Sequence, residues 1–286
     1  MTDTVYINGK LVLLEQARAS VMDYGFLFGY GLFETMRAYG GKVYRLDDHI
    51  NRLTESAPKL GIEVERTALR KAVYDTLQAN RLTDARIRLI VTIGEGSLTP
   101  DIATCTSPTV IVIAAPYHPH APEVYNKGWR VIISAIRRNS QSPLPGLKSS
   151  NFLESMLVKQ EVRNAGVDDA LMLNDKGLVA EASSSNVFVV SGGGLTTPRV
   201  GGGLLPGVTR RLVLELAKHL PGVKSAEADI AVDGLSDADE VFLTNSMVEI
   251  MPVVEIGGRM IGDGKPGPIT RRLMQAYKQR VLTETQ

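Results

Sequence analysis

Alternating apolar and polar residues at the start of the chain predict a β-hairpin. In VYINGKLV the alternation continues on both sides of an Asn-Gly pair, which favours a two-residue turn. From Leu46 onward the apolar period becomes three or four residues, with Ile50, Leu53 and Leu60 on one face before Gly61. This change of period predicts that a helix follows the first strands.

The remainder of the first half predicts one more helix and two strands. The helix covers residues 67–80, and the β-rich runs ARIRLIVTIGEG and PTVIVIAAPY follow it, separated by a polar loop at 99–107. Residues 116–127, PYHPHAPEVYNK, contain three prolines and lack helical periodicity, which is typical of a linker. We therefore predict a small α+β domain at 1–116, a linker at 117–127 and a larger domain at 128–286.

The second half mixes short strands with helices. WRVIISAIRR predicts a strand, and residues 150–164 predict a helix whose apolar face carries Leu153, Met156, Leu157 and Val162. Strands are then predicted at ALMLND, LVAEA and NVFVV. LLPGVTRRLVLELAKHL predicts a loop that runs directly into a helix, and EVFLTNSMVEIMPV predicts a strand and a turn.

Composition excludes several classes of function. The 32 basic and 31 acidic side chains leave a formal charge of +1, which provides no field to attract nucleic acid or an anionic membrane. The longest apolar run, residues 110–115, is far shorter than the roughly 20 residues that span a bilayer. The lone Cys105 and an N-terminus without signal-peptide features favour a reducing, cytoplasmic location.

Common catalytic signatures are missing from the sequence. It contains no GxGxxG, Walker, HExxH or GxSxG motif. Its four histidines are scattered, so we expect no metal site.

Two loops have the features of a phosphate site. In LPGVTRR, Gly207 permits an unusual backbone angle, and the amides of Val208 and Thr209 would point out of the following helix toward an anion. The alternative is an ordinary helix cap by Thr209. TNSMVEIMPV offers a second turn, with candidate exposed amides at Asn245, Ser246 and Met247.

Three charged residues stand out by their surroundings. Lys148, in PGLKSSNFL, has no acidic neighbour in its immediate sequence, which suits a nucleophilic amine as well as a solvated loop lysine. Glu181 interrupts the apolar LVAEA, so it is either a buried carboxylate that needs a partner or a glutamate at the rim of a strand. Arg52 could bind a phosphate from its helix, or form a surface ion pair with Asp48.

Six segments together resemble the fold-type IV, or class IV, pyridoxal-phosphate aminotransferases. They occur in the family's order and span nearly the whole chain: DYGFLFGYGLFETMRAY, RLDDHINRL, LKSSNFLESMLVKQE, LVAEASSSNVF, LLPGVTRR and LTNSMVEIMPV. The family includes branched-chain aminotransferases, D-amino acid transaminases, (R)-selective amine transaminases and aminodeoxychorismate lyases. The resemblance implies a two-domain α+β fold and pyridoxal 5'-phosphate as cofactor.

The resemblance also implies roles for particular residues. Lys148 matches the lysine that holds the cofactor as an aldimine and shuttles the substrate proton. Glu181 matches the carboxylate on the pyridine nitrogen, and Arg52 matches the guanidinium on the phosphate. Leu205 matches the aliphatic side chain against the ring. The remaining phosphate donors match Val208, Thr209, Asn245 and Ser246.

The subgroup is less sharply indicated. Ile93-Gly94-Glu95 stands where D-amino acid transaminases carry an Arg-x-His pair, which argues against that subgroup. Arg88 matches an arginine of branched-chain enzymes, but Arg86 replaces their tyrosine, and Phe152 and Leu153 replace a second one, which argues against a typical branched-chain enzyme. The carried-over candidates for the substrate pocket are Tyr30, Arg88 and Met247.

The resemblance implies a ping-pong aminotransferase that uses a small-molecule amino donor and a 2-keto acid. It also implies a homodimer with the active site near the subunit interface, to which we expect the loop at 95–108 to contribute. Parts of the sequence look like an aminodeoxychorismate lyase, which forms 4-aminobenzoate and pyruvate, and that activity is the alternative. A non-catalytic protein that binds a phosphorylated ligand is a more remote alternative.

Overall fold

The computed structural model describes residues 3–285, which form two compact units. The first unit contains the chain up to His118, the segment Leu147–Phe152 and the C-terminal end from Glu284. The second unit contains Pro119–Gly146 and Leu153–Thr283. The chain therefore returns to the first unit within the range 128–286 that the sequence assigns to the second domain.

The first unit is an antiparallel sheet with helices on one face. In chain order its elements are β1 (Thr4–Ile7), β2 (Lys10–Leu13), α1 (Tyr24–Phe28), β3 (Gly31–Tyr39), β4 (Lys42–Val43), α2 (Leu46–Ser56), α3 (Arg66–Ala79), β5 (Ala85–Thr92) and β6 (Thr109–Pro116). The strand order among the described residues is β2-β1-β6-β5-β3-β4. The predicted hairpin is confirmed, because β1 and β2 pair around Asn8 and Gly9, both with positive φ.

The core of the first unit lies between the sheet and the helices α2 and α3. Alternate residues of β3 and β5, including Met36 and Leu89, are fully buried, and they pack with Ile50 and Leu53 of α2 and Val73 of α3. Every second residue of a strand, and every third or fourth residue of a helix, lies on the same face. The apolar faces of the strands and of the helices therefore pack against each other. The opposite face of β3 and β5 is left for other contacts, described below.

The second unit is built on a larger, mixed sheet. In chain order its elements are α4 (Pro122–Lys127), β7 (Trp129–Arg138), α5 (Leu153–Ala165), β8 (Asp169–Asn174), β9 (Val179–Ala182), β10 (Asn186–Ser191), β11 (Gly194–Thr197), α6 (Val208–Ala217), β12 (Lys224–Glu227), α7 (Asp233–Ser236), β13 (Glu240–Asn245), β14 (Glu249–Ile256), β15 (Arg259–Met260) and α8 (Pro268–Thr285). The strand order among the described residues is β12-β11-β10-β13-β14-β7-β8-β9, with β15 beside β14. The mixed helix and strand content and the two units confirm the predicted fold class.

Two local predictions differ from the structure, and one helix was not predicted. The stretch 117–127 includes the short helix α4, which Pro122 begins. Helix α5 begins at Leu153 and not at residue 150, because Ser150 is held by a hydrogen bond from its amide to the Gly31 carbonyl. The long helix α8 has no counterpart among the sequence predictions.

Of the apolar stripe predicted for α5, only Val162 packs against the core of its unit. Leu153, Met156 and Leu157 are at least half exposed, whereas Ser155 and Val158 are buried. Val158 packs against Ala170 and Met172 of β8, which sets the rotation of the helix.

Candidate active site

Lys148 lies in an extended segment that pairs with the edge of β3. Its carbonyl accepts a hydrogen bond from the Phe33 amide at 2.8 Å, and the Ser150 amide donates to the Gly31 carbonyl at 2.8 Å. The edge of a strand presents unpaired backbone groups, and here they are satisfied by this segment. The Lys148 side chain is half-buried, with Nζ 4.7 Å from the centre of the Phe33 ring. Lys148 is therefore not an ordinary solvated loop lysine.

The Phe33 ring contacts two other candidate residues. The Arg88 guanidinium carbon lies 3.5 Å from the ring centre, and Phe152 packs against the ring edge-on at 5.6 Å. Burial and the neighbouring charge of Arg86 lower the pKa of Arg88. The predicted Arg88 and Lys148 thus meet at one aromatic ring.

Arg52 is bound to a buried carboxylate that the sequence analysis missed. Its Nε and Nη2 donate to Glu34 Oε1 and Oε2 at 2.8 and 2.6 Å, a two-point pairing along one edge of the guanidinium. His49 Nδ1 lies 2.7 Å from Glu34 Oε2. Arg52 is thus held at a buried carboxylate, and Asp48 pairs with Arg45.

The charges of this cluster follow from its burial. Burial alone would raise the pKa of Glu34, but Arg52 and His49 outweigh it and hold the value at about 2. Burial lowers the pKa of His49 and, with the charges of Arg52 and Lys148, outweighs the neighbouring Glu34, which alone would raise it. At neutral pH the cluster therefore holds an ionised Glu34 and a neutral His49 that donates from Nδ1.

The sequence contains a feature from which Glu34 could have been predicted as a candidate. A carboxylate interrupts the apolar strand sequence LFETM, as Glu181 interrupts LVAEA. Such a residue, if buried, needs a cationic or hydrogen-bonding partner. Its partners on α2 are His49 and Arg52, which the i, i+3 spacing puts on one side of that helix.

Glu181 is buried in the second unit and does not lie at the rim of a strand. It is 6% exposed, its Oε1 is 3.1 Å from Arg138 Nη2, and its Oε2 accepts from the Leu205 amide at 3.1 Å. Arg138 also pairs with Glu154. The Leu205 carbonyl accepts from the side-chain amide of Asn186 at 2.9 Å. The backbone of Leu205 is thus fixed on both sides, beside the carboxylate.

Helix α6 begins without a side-chain cap. Gly207 is the N-cap residue, and no side chain bonds to the first amides, so capping by Thr209 is wrong. The φ of Gly207 is −70°, an ordinary value, so the prediction of an unusual backbone angle is wrong. The position requires glycine because an added Cβ would lie 2.0 Å from Asn186 Oδ1. The amides of Val208 and Thr209 thus form the kind of first helical turn that binds anions.

The turn between β13 and β14 is closed by its own asparagine. Asn245 Oδ1 accepts from the amides of Met247 and Val248 at 2.8 and 2.9 Å, and its Nδ2 donates to Ser185 Oγ at 2.8 Å. The Met247 amide is therefore not the exposed donor that the sequence analysis expected. Ser246 lies half-buried at the tip of the turn.

The candidate residues thus fall into two groups by unit. Tyr30, half-buried before β3, packs against the core of the first unit. The candidates in the first unit are Tyr30, Arg52, Arg88 and Lys148. The candidates in the second unit are Glu181, Leu205, Val208, Thr209, Asn245, Ser246 and Met247.

Residues 3–285 contain neither a membrane-spanning helix nor a metal-binding cluster. No helix there has both the length and the apolar character that a membrane crossing needs. No three His, Cys, Asp or Glu side chains in that range are grouped so that they could hold a metal ion.

Comparison with known proteins identifies the family. The model of the family Amino-transferase class IV matches residues 31–256. A putative branched-chain-amino-acid aminotransferase of Methanocaldococcus jannaschii is 42% identical over 277 residues, which cover 96% of this chain and 95% of that protein. A D-alanine aminotransferase of Bacillus licheniformis is 32% identical over 284 residues, or 98% of each chain.

A solved structure extends the likeness to the fold and the cofactor. The branched-chain amino acid aminotransferase of Thermobaculum terrenum, in its holo-form with pyridoxal 5'-phosphate, superposes with a TM-score of 0.86 at 27% identity, covering 98% of this chain and 94% of that one. The donor groups found here fit such a cofactor: an amine for an aldehyde, a buried carboxylate for a pyridine nitrogen, and a guanidinium and an uncapped helix start for a phosphate. The chain belongs to the class IV aminotransferases and is a transaminase that depends on pyridoxal 5'-phosphate.

Proposed function

We propose that this enzyme transfers the amino group of a branched-chain L-amino acid to a 2-keto acid. The observation that carries the proposal is the 42% identity, over nearly the full length of both chains, to a protein named as a putative branched-chain enzyme. The D-alanine aminotransferase is 32% identical over a similar length. The residues Ile93-Gly94-Glu95 also support this choice, because they lack the Arg-x-His pair of the D-specific subgroup.

Lys148 is the catalytic residue in this proposal. Its Nζ would hold the cofactor through the cofactor's aldehyde, and as a free amine it would move a proton to and from the substrate Cα. The pairing of its backbone with β3 supports the role, because it fixes the point from which the side chain reaches. The contact of Nζ with Phe33 keeps the amine half-buried.

The other proposed site residues bind and orient the cofactor. Glu181, paired with Arg138, would accept a hydrogen bond from the protonated pyridine nitrogen and keep it protonated, and Leu205 would lie against the ring. Arg52 is a proposed phosphate ligand. The backbone amides of Val208 and Thr209 at the start of α6, and the turn at Asn245 and Ser246, are the other proposed phosphate donors. The bound cofactor supplies an aldehyde that takes up the amino group and a ring that accepts electrons from Cα.

We assign the binding of the substrate carboxylate to a residue of the first unit. Arg88 on the Phe33 ring is a cation half-withdrawn from water, which suits a substrate carboxylate. Tyr30 and Met247 are the further proposed contacts. Arg86, Phe152 and Leu153 depart from the tyrosines expected of a typical branched-chain enzyme, whereas the name of the 42% identical relative favours that subgroup.

The reaction is proposed to be ping-pong, with the amino group held on the cofactor between two half-reactions. Each half-reaction can be run alone by mixing the cofactor-loaded enzyme with one donor and following the cofactor spectrum. We expect conversion to the aminated cofactor with L-leucine, L-isoleucine and L-valine, and slower conversion with D-alanine and (R)-amines. Faster conversion with D-alanine, or pyruvate release from aminodeoxychorismate without net amination, would overturn the substrate assignment.

We also propose a homodimer in the cytoplasm, with the loop at 95–108 at the subunit interface. The loop is anchored by Tyr24, whose hydroxyl donates to the Ser97 carbonyl at 2.8 Å and accepts from the Asp101 amide at 3.0 Å. Beyond this anchor, Leu98 and Ile102 are 74% and 53% exposed. Large apolar side chains held in the open by an ordered loop are typical of an interface.

A further inference from the structure

Glu34 has no role in the proposed chemistry, yet it is the most completely buried charged residue of the first unit. Its exposed fraction is 0%, and its two oxygens receive three polar contacts, two from Arg52 and one from His49. A buried ion pair contributes little net stability, because the cost of removing both charges from water offsets their attraction. The arrangement therefore needs an explanation other than stability.

The pairing determines the plane of the Arg52 guanidinium. Two parallel bonds to one carboxylate leave the planar group no rotation about its terminal bonds. The bonds use the Nε–Nη2 edge, so the Nη1 side of the group lies outside the pairing with Glu34. An arginine oriented in advance loses less conformational entropy when a ligand binds.

Glu34 also connects this arginine to the segment of Lys148. Phe33 and Glu34 are consecutive on β3, and their side chains point to opposite faces of the sheet. The Phe33 amide holds the Lys148 carbonyl, and the Glu34 carboxylate holds Arg52. One stretch of rigid strand thus sets the positions of both groups.

We propose that Glu34 is a positioning residue, which with His49 holds the Arg52 guanidinium ready for the cofactor phosphate before the cofactor binds. The inference rests on the proposed role of Arg52 as a phosphate ligand. The proposal and simple electrostatics predict opposite effects of losing the Glu34 charge on the strength of phosphate binding. Removing a negative charge near a phosphate should strengthen phosphate binding, whereas loss of a positioning residue should weaken it.

The test is the affinity of the apo-protein for pyridoxamine 5'-phosphate, which has no aldehyde to react with Lys148. Calorimetric titration compares this probe with pyridoxamine, which lacks the phosphate. For Glu34→Gln we expect about ten- to a hundred-fold weaker binding of the phosphorylated probe, the loss seen at metal sites when the partner of a ligating side chain is removed. Binding of pyridoxamine should not change. Unchanged or tighter binding of the phosphorylated probe would overturn the proposal.

A double-mutant cycle separates positioning from general damage. In an Arg52→Met background, Glu34→Gln should cause no further loss of affinity, whereas additive losses would contradict action through Arg52. Glu240→Gln is the matched control, because Glu240 is also buried and accepts from the amides of Ile269 and Thr270 at the start of α8. It should lower the unfolding temperature without changing the affinity. Should Glu34→Gln not fold, Glu34→Asp replaces it, since the shorter side chain cannot hold both nitrogens, and the same weakening is expected.

A second measurement distinguishes failure of the proposed role of Glu34 from failure of the proposed function. Borohydride treatment of the Glu34→Gln protein, saturated with pyridoxal 5'-phosphate, should still attach the cofactor to Lys148. Attachment with unchanged phosphate affinity overturns the role of Glu34 alone, whereas attachment elsewhere overturns the proposed function.

Discussion

Protonation of Glu34 and His49 couples folding to pH. The pKa of Glu34 is about 2 in the folded chain against an ordinary value of 4.5, so above pH 4.5 the fold is more stable with the ionised than with the protonated carboxyl, and this difference is lost as the pH falls toward 2. The pKa of His49 is lowered below 6.5, so the unfolded chain takes up that proton first and stability begins to fall below about pH 6.5. Both groups therefore destabilise the fold in acid.

We expect the free energy of unfolding of the apo-protein, measured in urea, to decrease from pH 7 to pH 4. At about 1.4 kcal/mol per pKa unit, the full shift of Glu34 corresponds to about 3 kcal/mol, most of it lost only below pH 4. The Glu34→Gln variant should show a flatter profile at the acidic end. Parallel profiles for the two proteins would contradict the low pKa of Glu34.

Residues differ in how far the sequence alone predicts them. The sequence surroundings of Lys148 and Arg52 indicate candidates, the family resemblance assigns their roles, and the structure adds their contacts. Glu34 gives the same local signal as Glu181, a carboxylate inside an apolar strand, and the same argument would have identified it. The partners of these carboxylates could not be predicted, because Arg52 and Arg138 are brought to them by tertiary packing.

At the scale of elements, the start of α6 depends on the absence of a side chain at Gly207. In Gly207→Ala, the new Cβ would overlap Asn186 Oδ1, and the asparagine would have to release the Leu205 carbonyl. We expect a loss of about 1–3 kcal/mol in the free energy of unfolding, as is typical of overpacking, together with weaker binding of pyridoxamine 5'-phosphate.

Urea denaturation and calorimetric titration measure these two effects. The matched control is Gly201→Ala, because a Cβ at Gly201 meets nothing within 4 Å and its φ is not positive. Equal behaviour of the two alanine variants would show that the close approach to Asn186 is not what requires glycine.

Elements that depend on residues within themselves were predicted well. Elements whose bounds depend on contacts with distant parts of the chain were not. The β1–β2 hairpin depends on Asn8 and Gly9 within it, and its prediction is confirmed. Helix α5 starts later than predicted because its preceding residues pair with β3, more than a hundred residues earlier in the chain. Its apolar stripe was identified, but the stripe alone does not say which face packs on β8.

At the scale of the whole molecule, the proposed dimer gives a test of the loop at 95–108. We expect the double variant Leu98→Glu, Ile102→Glu to dissociate at concentrations where the native protein is a dimer, because it introduces charges into a buried apolar contact. Sedimentation velocity measures the change. Leu11→Glu, at another exposed apolar position, is the control and should sediment like the native protein. A native protein that is a fully active monomer would contradict the proposal.

The division into two units was only partly visible in the sequence. The composition of residues 116–127 suggested a boundary, and the contacts divide the chain at His118 and Pro119. The return of Leu147–Phe152 to the first unit could not be predicted, because it follows from the pairing of Lys148 and Ser150 with β3.

The covalent attachment of the cofactor to Lys148 is the central claim, and one labelling measurement tests it most directly. The holoenzyme is reduced with borohydride, digested, and searched by mass spectrometry for the lysine that carries the pyridoxyl group. The account predicts label on the peptide containing Lys148, and neither label there nor transaminase activity in Lys148→Ala. Label on a different lysine, or full turnover by Lys148→Ala, would contradict it.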